Sequence, residues 1–101
     1  MSKIIVFDCD STLSAIEGID ELARVKGDRI FTEVESLTNA AMNGEVPLDD
    51  VFSRRLEIIQ PDAQTCEKVA ELYIETVEPT ALSTLNALKK LGYTPIILSG
   101  G

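Results

Sequence analysis

The sequence predicts an α/β protein in which a parallel-sheet core carries an inserted bundle of α-helices. Two short apolar runs, at residues 3–8 and 93–98, are rich in β-branched and aromatic residues, as buried parallel strands are. Apolar residues at helical spacing fill most of residues 16–76. A last helix directly precedes the second run and can serve as the crossover of a right-handed βαβ unit. The other helices are then an insertion after the first strand.

Breaks in the helical periodicity predict where the individual helices begin and end. We expect the first helix to end at Gly27 and Asp28 to cap the second helix. Pro47 is expected in the first turn of the third helix, because proline is tolerated there. Residues 60–62 (Gln-Pro-Asp) should separate the third helix from the fourth, and Pro79 should open the fifth.

Composition excludes several classes of function. The chain of 101 residues has a net charge of −8 and a pI near 4.4, which argues against nucleic acid and membrane surfaces as partners. It has no histidine, so neither a Ser-His-Asp site nor a histidine-based metal site can form within it. The two cysteines make no disulfide framework, and no apolar run has transmembrane length. We therefore expect a cytoplasmic protein whose thiols are reduced.

Two carboxylates follow the first strand directly. Asp8 and Asp10 are two residues apart, so they would point the same way if the strand continued. If the chain turns instead, they converge on the crevice beyond the strand's carboxyl end, where open α/β sheets bind ligands. Neighbouring carboxylates repel each other, and the usual reasons for such a pair are a bound cation or divided acid and base roles. The alternative is a strand-end Asx turn in which the second Asp is a cap.

The residues that follow both predicted strands resemble a known family. Residues 8–13 (Asp-Cys-Asp-Ser-Thr-Leu) resemble the first motif of the haloacid dehalogenase (HAD) superfamily of phosphohydrolases, and residues 98–101 (Leu-Ser-Gly-Gly) resemble its second motif. The intervening residues are similar to the phosphoserine phosphatase branch at Glu17 with residues 20–23, at residues 41–44, and at Arg55.

This resemblance implies a fold and an activity. The expected fold is a partial HAD-like (Rossmannoid) core formed by residues 1–13 and 78–101, with a small helical cap formed by residues 14–77. The expected activity is Mg²⁺-dependent hydrolysis of a phosphomonoester through an aspartyl-phosphate. The best substrate is O-phosphoserine, which would give serine and phosphate.

The resemblance also implies roles for the motif residues. Asp8 would be the nucleophile, and its carboxylate is already ionised at neutral pH, so it needs no general base. Asp10 would be the general acid and base. The Asp8 side chain and the Asp10 backbone carbonyl would be Mg²⁺ ligands. Ser99 and Gly100 would hold the phosphate through a hydroxyl and backbone N–H groups; the alternative is a plain Ser-Gly-Gly turn or a linker.

Two further residues are candidates for substrate selectivity, and two others are candidates for the wall of the substrate pocket. By the same resemblance, Glu17 would meet the substrate ammonium and Arg55 its carboxylate. Alternatively, Glu17 is only an acidic residue in the first turn of a helix, where the helix dipole favours it. Arg55 is alternatively a solvated surface charge. Arg54 ranks below Arg55 because the family spacing falls on Arg55. Met42 and Leu48 would line the substrate pocket or belong to the core.

Cys9 lies between the two carboxylates, and we expect it to be a small buried residue. Neighbouring carboxylates should raise the pKa of its thiol and suppress the nucleophilic thiolate. Catalysis by Cys9 is therefore not expected.

The resemblance further implies a lysine and a Gly-Asp loop downstream of residue 101. We therefore expect this chain to be the N-terminal part of a larger phosphatase, with weak or no metal binding and very low turnover by itself. Two alternatives stay open. One is a phosphatase or phosphotransferase for another small phosphorylated metabolite. The other is a non-catalytic helical fragment that binds a partner or forms a dimer through an exposed sheet edge.

Overall fold

The computed structural model describes residues 3–100, so Met1, Ser2 and Gly101 of the second motif lie outside the described residues. The chain divides into two compact units, Met1–Glu17 with Leu72–Gly101, and Gly18–Glu71. Within residues 3–100, no helix combines the length and apolar character needed to cross a bilayer. The elements in chain order are β1 (Lys3–Phe7), α1 (Gly18–Lys26), α2 (Asp28–Met42), α3 (Leu48–Ile59), α4 (Ala63–Glu75), α5 (Ala81–Lys90) and β2 (Tyr93–Ile97).

The two strands form a parallel pair, which confirms the predicted α/β class. Their register runs from Lys3 opposite Tyr93 to Phe7 opposite Ile97. The pairing continues one bond further, because the Leu98 N–H donates to the Phe7 carbonyl at 2.9 Å. The carboxyl ends of β1 and β2 are therefore adjacent, and each leads directly into one of the two motifs.

Only one face of this sheet is covered within residues 3–100. Ile5 and Phe7 on β1 are half-buried, and α5 contacts β2. Ile4, Val6 and Ile96 point to the opposite face, where Ile4 is 64% exposed and Val6 is 56% exposed. The apolar composition predicted strands buried on both faces. The structure differs because α5 is the only described helix that packs against them.

The Gly18–Glu71 unit is a helical bundle with its own apolar core. Ala23 on α1, Val34 on α2 and Ile59 on α3 are its most deeply buried members. This core agrees with the predicted amphipathic helices, because apolar side chains from three helices pack together and are buried from water. The half-buried residues packed against them are Ile19, Leu22, Ile30, Phe31 and Ile58.

Three predicted helix starts differ from the structure: those of α2 and α3 by one residue, and that of α5 by two, since it begins at Ala81 rather than Pro79. Asp28 does not cap α2 but is its first residue; Gly27 occupies the N-cap position with a φ of 119° and no side-chain cap bond. Glycine is suited to this backbone because it has no Cβ to clash. Pro47 likewise precedes α3 as its N-cap rather than lying in the first turn. The acid at Asp28 still lies where the helix dipole favours it.

Candidate active site

The loop after β1 is tightly organised around one carbonyl. The Cys9 carbonyl accepts hydrogen bonds from the N–H groups of Thr12, Leu13 and Ser14, at 3.0–3.1 Å. The Cys9 N–H donates to Oδ1 of Asp8 at 2.8 Å. Asp8 is exposed at the strand end, so its carboxylate is open to a ligand. Backbone N–H groups therefore hold this loop in place.

Asp10 has the opposite environment. It is only 9% exposed, and its Oδ1 accepts a hydrogen bond of 2.8 Å from the Tyr73 hydroxyl on α4. The Ser14 hydroxyl donates to the Tyr73 carbonyl, also at 2.8 Å. The sequence analysis did not identify Tyr73 as a site residue. The available signal was chemical: a tyrosine hydroxyl that leaves water requires a partner.

The paired carboxylates are oxygen donors of the kind that Mg²⁺ prefers. Magnesium is commonly held by one or two carboxylates and keeps several of its waters. The Asp8 side chain and the Asp10 carbonyl fit that donor chemistry. Within residues 3–100, however, no group of three or more Asp, Glu or Cys side chains gathers as a metal site.

Glu17 lies beside the same loop. Its Oε1 accepts a hydrogen bond of 2.7 Å from the Ser11 hydroxyl, and both residues are exposed. Ser11 has a φ of 58°, in the left-handed region that few non-glycine residues adopt. Glu17 immediately precedes α1, so it combines the helix-terminus position with a direct contact to the first motif.

The second motif follows β2 at the same end of the sheet. Ser99 and Gly100 are both exposed. A Cβ added to Gly100 would meet no atom within 4 Å, so open space adjoins its backbone. Because the strands are parallel and in register, Asp8, Ser99 and Gly100 follow the sheet at the same edge.

Arg55 and Met42 belong to the helical unit. Arg55 on α3 is half-buried, and its Nε is shielded from water and makes no hydrogen bond within residues 3–100. Arg54 is exposed. Met42 ends α2 and is 78% exposed, and Leu48 is exposed as well, so neither is a core residue.

Cys9 is half-buried rather than fully buried as expected, but the pKa of its thiol shifts in the predicted direction. Burial raises the pKa of its thiol, and the carboxylates of Asp10 and Asp8 raise that pKa further. The thiol is therefore protonated at neutral pH, which argues against Cys9 as a nucleophile.

No family model matches the chain, but individual proteins do. It is 39% identical over 98% of its length to a probable phosphoserine phosphatase of Schizosaccharomyces pombe, covering 32% of that protein. It is 38% identical over 98% of its length to the phosphoserine phosphatase of Methanocaldococcus jannaschii, covering 46% of it. The chain thus spans a third to about half the length of these curated relatives.

Solved structures give the same result for the fold. A phospho-aspartyl intermediate analogue of phosphoserine phosphatase superposes with a TM-score of 0.74 at 35% identity, over 99% of this chain and 46% of that one. A HAD family hydrolase from Salmonella enterica serovar Typhi superposes with a TM-score of 0.74 at 31% identity, over 98% of this chain and 33% of that one. The resemblance drawn from the two motifs is confirmed: this chain is phosphoserine phosphatase-like in sequence and HAD-like in fold.

Proposed function

We propose that residues 1–101 carry the nucleophile, the acid/base group and the phosphate cradle of a phosphomonoester hydrolase that acts on O-phosphoserine. The observation that carries this proposal is the contrast between two neighbouring carboxylates. Asp8 is exposed at the sheet edge, whereas Asp10 is buried and hydrogen-bonded. Such a division of environments is the usual way for one site to hold a nucleophile beside an acid.

The reaction would proceed in two displacements at phosphorus. An Asp8 carboxylate oxygen attacks the phosphorus, the bond from phosphorus to the serine oxygen breaks, and Asp10 gives the leaving alkoxide a proton. Water then attacks the phosphorus of the aspartyl-phosphate while Asp10 takes its proton, which releases phosphate and restores Asp8. The similar structure that is named a phospho-aspartyl intermediate analogue supports this order of events.

A divalent cation, Mg²⁺ by resemblance, would be held by the Asp8 carboxylate and the Asp10 backbone carbonyl. When bound, it would supply the positive charge that a phosphate needs beside two carboxylates in a chain of net charge −8. Ser99 and Gly100 would bind the phosphate oxygens from the other strand. The open space beside the Gly100 backbone supports that assignment.

Selection of phosphoserine would rest on Glu17 and Arg55. Glu17 is exposed and tied to the nucleophile loop through Ser11, and a carboxylate suits the substrate ammonium. Among the described residues, no acceptor meets the buried Arg55 Nε–H, and such a group favours an anionic partner. A guanidinium fork suits a carboxylate better than any other side chain does.

The test is phosphate release from O-phosphoserine with Mg²⁺ present. It is run on the 101-residue chain and on a chimera in which this chain replaces the matching stretch of the M. jannaschii relative. We expect the chimera to release phosphate, Asp8→Asn to abolish the release, and the control Asp28→Asn on the α2 surface to leave it intact. Release that survives Asp8→Asn, or a folded chimera that releases none, would contradict the proposal.

A second candidate is a non-catalytic fragment that self-associates. The exposed apolar face formed by Ile4, Val6 and Ile96 favours it, since patches of this kind commonly mark contact surfaces. A mass by light scattering that rises with concentration, together with no phosphate release from either polypeptide, would support this candidate instead.

A further inference from the structure

Tyr73 and Asp10 are 63 residues apart in sequence, yet they share a side-chain hydrogen bond. The Tyr73 hydroxyl donates to Oδ1 of Asp10 at 2.8 Å, within the normal range for O–H···O⁻ bonds. Asp10 is buried and Tyr73 is half-buried, so this bond lies in a partly desolvated environment where hydrogen bonds are stronger.

The backbone around this pair is held on both sides. The Ser14 hydroxyl donates to the Tyr73 carbonyl at 2.8 Å, and the Ala15 N–H donates to the Thr76 carbonyl at 2.9 Å. Ser14 also forms isolated bridges with Asp10 and with Val77. The end of α4 is therefore fastened to the loop of the first motif, and the Tyr73 ring has little freedom to leave Asp10.

We propose that Tyr73 is a positioning residue that fixes the orientation of the Asp10 carboxyl group. Misplacement of a proton donor by about 1 Å can cost a large factor in rate, so holding the carboxyl plane has a direct consequence for catalysis. The kinetic part of this inference rests on the proposed function; the structural part does not.

The first experiment measures the orientation of Asp10 in the 101-residue chain. The three-bond couplings between the α- and β-protons of Asp10 report whether its side chain occupies one rotamer or several. We expect a single rotamer in the unmodified chain and averaged couplings in Tyr73→Phe, which removes only the hydroxyl. Tyr93→Phe is the matched control, because Tyr93 is the only other tyrosine and lies on β2. Unaltered couplings in Tyr73→Phe would overturn the inference.

The second experiment compares two substrates of the chimera with the M. jannaschii relative, which is expected to release phosphate. The serine alkoxide is a poor leaving group that needs a proton, whereas p-nitrophenolate leaves readily without one. We expect Tyr73→Phe to lower kcat/KM for O-phosphoserine about tenfold, part of the hundredfold or more that a general acid supplies. For p-nitrophenyl phosphate the loss should be much smaller, and Tyr93→Phe should affect neither substrate.

The outcomes separate the two proposals. A wild-type polypeptide that releases no phosphate contradicts the proposed function, while the rotamer measurement still decides whether Tyr73 holds Asp10. Equal losses on both substrates would mean that Tyr73 is merely structural and would overturn the positioning role. Averaged couplings together with a selective loss on O-phosphoserine would establish it.

Discussion

The hydroxyl of Ser11 donates a hydrogen bond of 2.7 Å to Oε1 of Glu17, and this bond joins the first motif to the residue that precedes α1. Ser11 reaches Glu17 from a left-handed backbone conformation, which few non-glycine residues adopt without a compensating contact. The bond orients the Glu17 carboxylate and leaves it exposed. The contact with a substrate ammonium that we propose for Glu17 requires this exposure.

Replacing Glu17 should therefore change substrate affinity more than turnover. We expect Glu17→Ala to raise KM for O-phosphoserine about tenfold or more, as the loss of a charge-assisted contact would, with little effect on p-nitrophenyl phosphate. Ser11→Ala should raise the same KM by a smaller factor, because it only releases Glu17. Glu35→Ala on the exposed side of α2 is the control. Equal effects on both substrates would assign Glu17 to the helix terminus alone.

Arg55 and its neighbour Arg54 form a natural pair of test and control. We expect Arg55→Ala to reduce kcat/KM for O-phosphoserine by about 10²-fold, and to spare a phosphomonoester that lacks a carboxylate. Arg54 is exposed, so Arg54→Ala should alter neither. If Arg55→Ala weakened both substrates equally, the buried Nε would reflect a structural role rather than carboxylate recognition.

The two glycines that flank β2 should respond in opposite ways to a methyl group. Gly100→Ala has room for its Cβ, so stability should hold while phosphate inhibition and turnover fall, because the methyl occupies the cradle. Gly92 has a φ of 91°, where a side chain costs about 1–2 kcal/mol, so Gly92→Ala should lower the free energy of unfolding instead. Urea unfolding and inhibition by inorganic phosphate measure the two effects. A Gly100→Ala variant with full phosphate affinity would remove this residue from the cradle.

Asp62 should make the stability of the helical unit depend on pH. Hydrogen bonds from the Thr65 hydroxyl and N–H to its carboxylate, together with Lys26, lower the pKa of Asp62 to about 2. An unfolded aspartate titrates near pH 3.9, so the ionised group stabilises the fold above about pH 4. That contribution is lost as the pH falls through the folded value near 2.

Comparing Asp62→Asn with the unmodified chain tests whether the stabilising contribution of Asp62 is lost as the pH falls. Urea unfolding from about pH 5 down to about pH 2.5 should show a stability difference that shrinks with acid. Asparagine remains an acceptable N-cap, so the charge is the main change. Asp49→Asn, in the first turn of α3, serves as the control. A difference that stays constant over this range would mean that Asp62 acts only as a cap.

The parts of the fold that follow from local pattern were predictable. Two apolar runs bounded by turns specify β1 and β2, and their parallel pairing places both motifs at one edge. Residues 60–62 separate α3 from α4 as the proline there requires. The cap of α2 was assigned to the wrong residue, because Asp28 and Gly27 are both suited to a helix start and only backbone geometry distinguishes them.

The side-chain environment of the site was less predictable. The bond between Tyr73 and Asp10 joins residues brought together only by tertiary folding, and tyrosine at a helical apolar position ordinarily indicates core. The exposure of Met42 depends on its position as the last residue of α2, which sequence pattern places only to within a few residues. The exposure of one face of the sheet could not be predicted either. The apolar composition of a strand does not show whether a second layer covers it.

The most direct test of the mechanism is to locate the phosphoryl group on the protein during turnover. The chimera with the M. jannaschii relative is mixed with O-phosphoserine and Mg²⁺. The reaction is quenched in acid, and the digested protein is examined by mass spectrometry. Phosphate on the peptide that contains Asp8, absent in Asp8→Asn, is the expected result. Phosphate release without an adduct on Asp8, or with an adduct on Ser99 instead, would contradict Asp8 as the nucleophile.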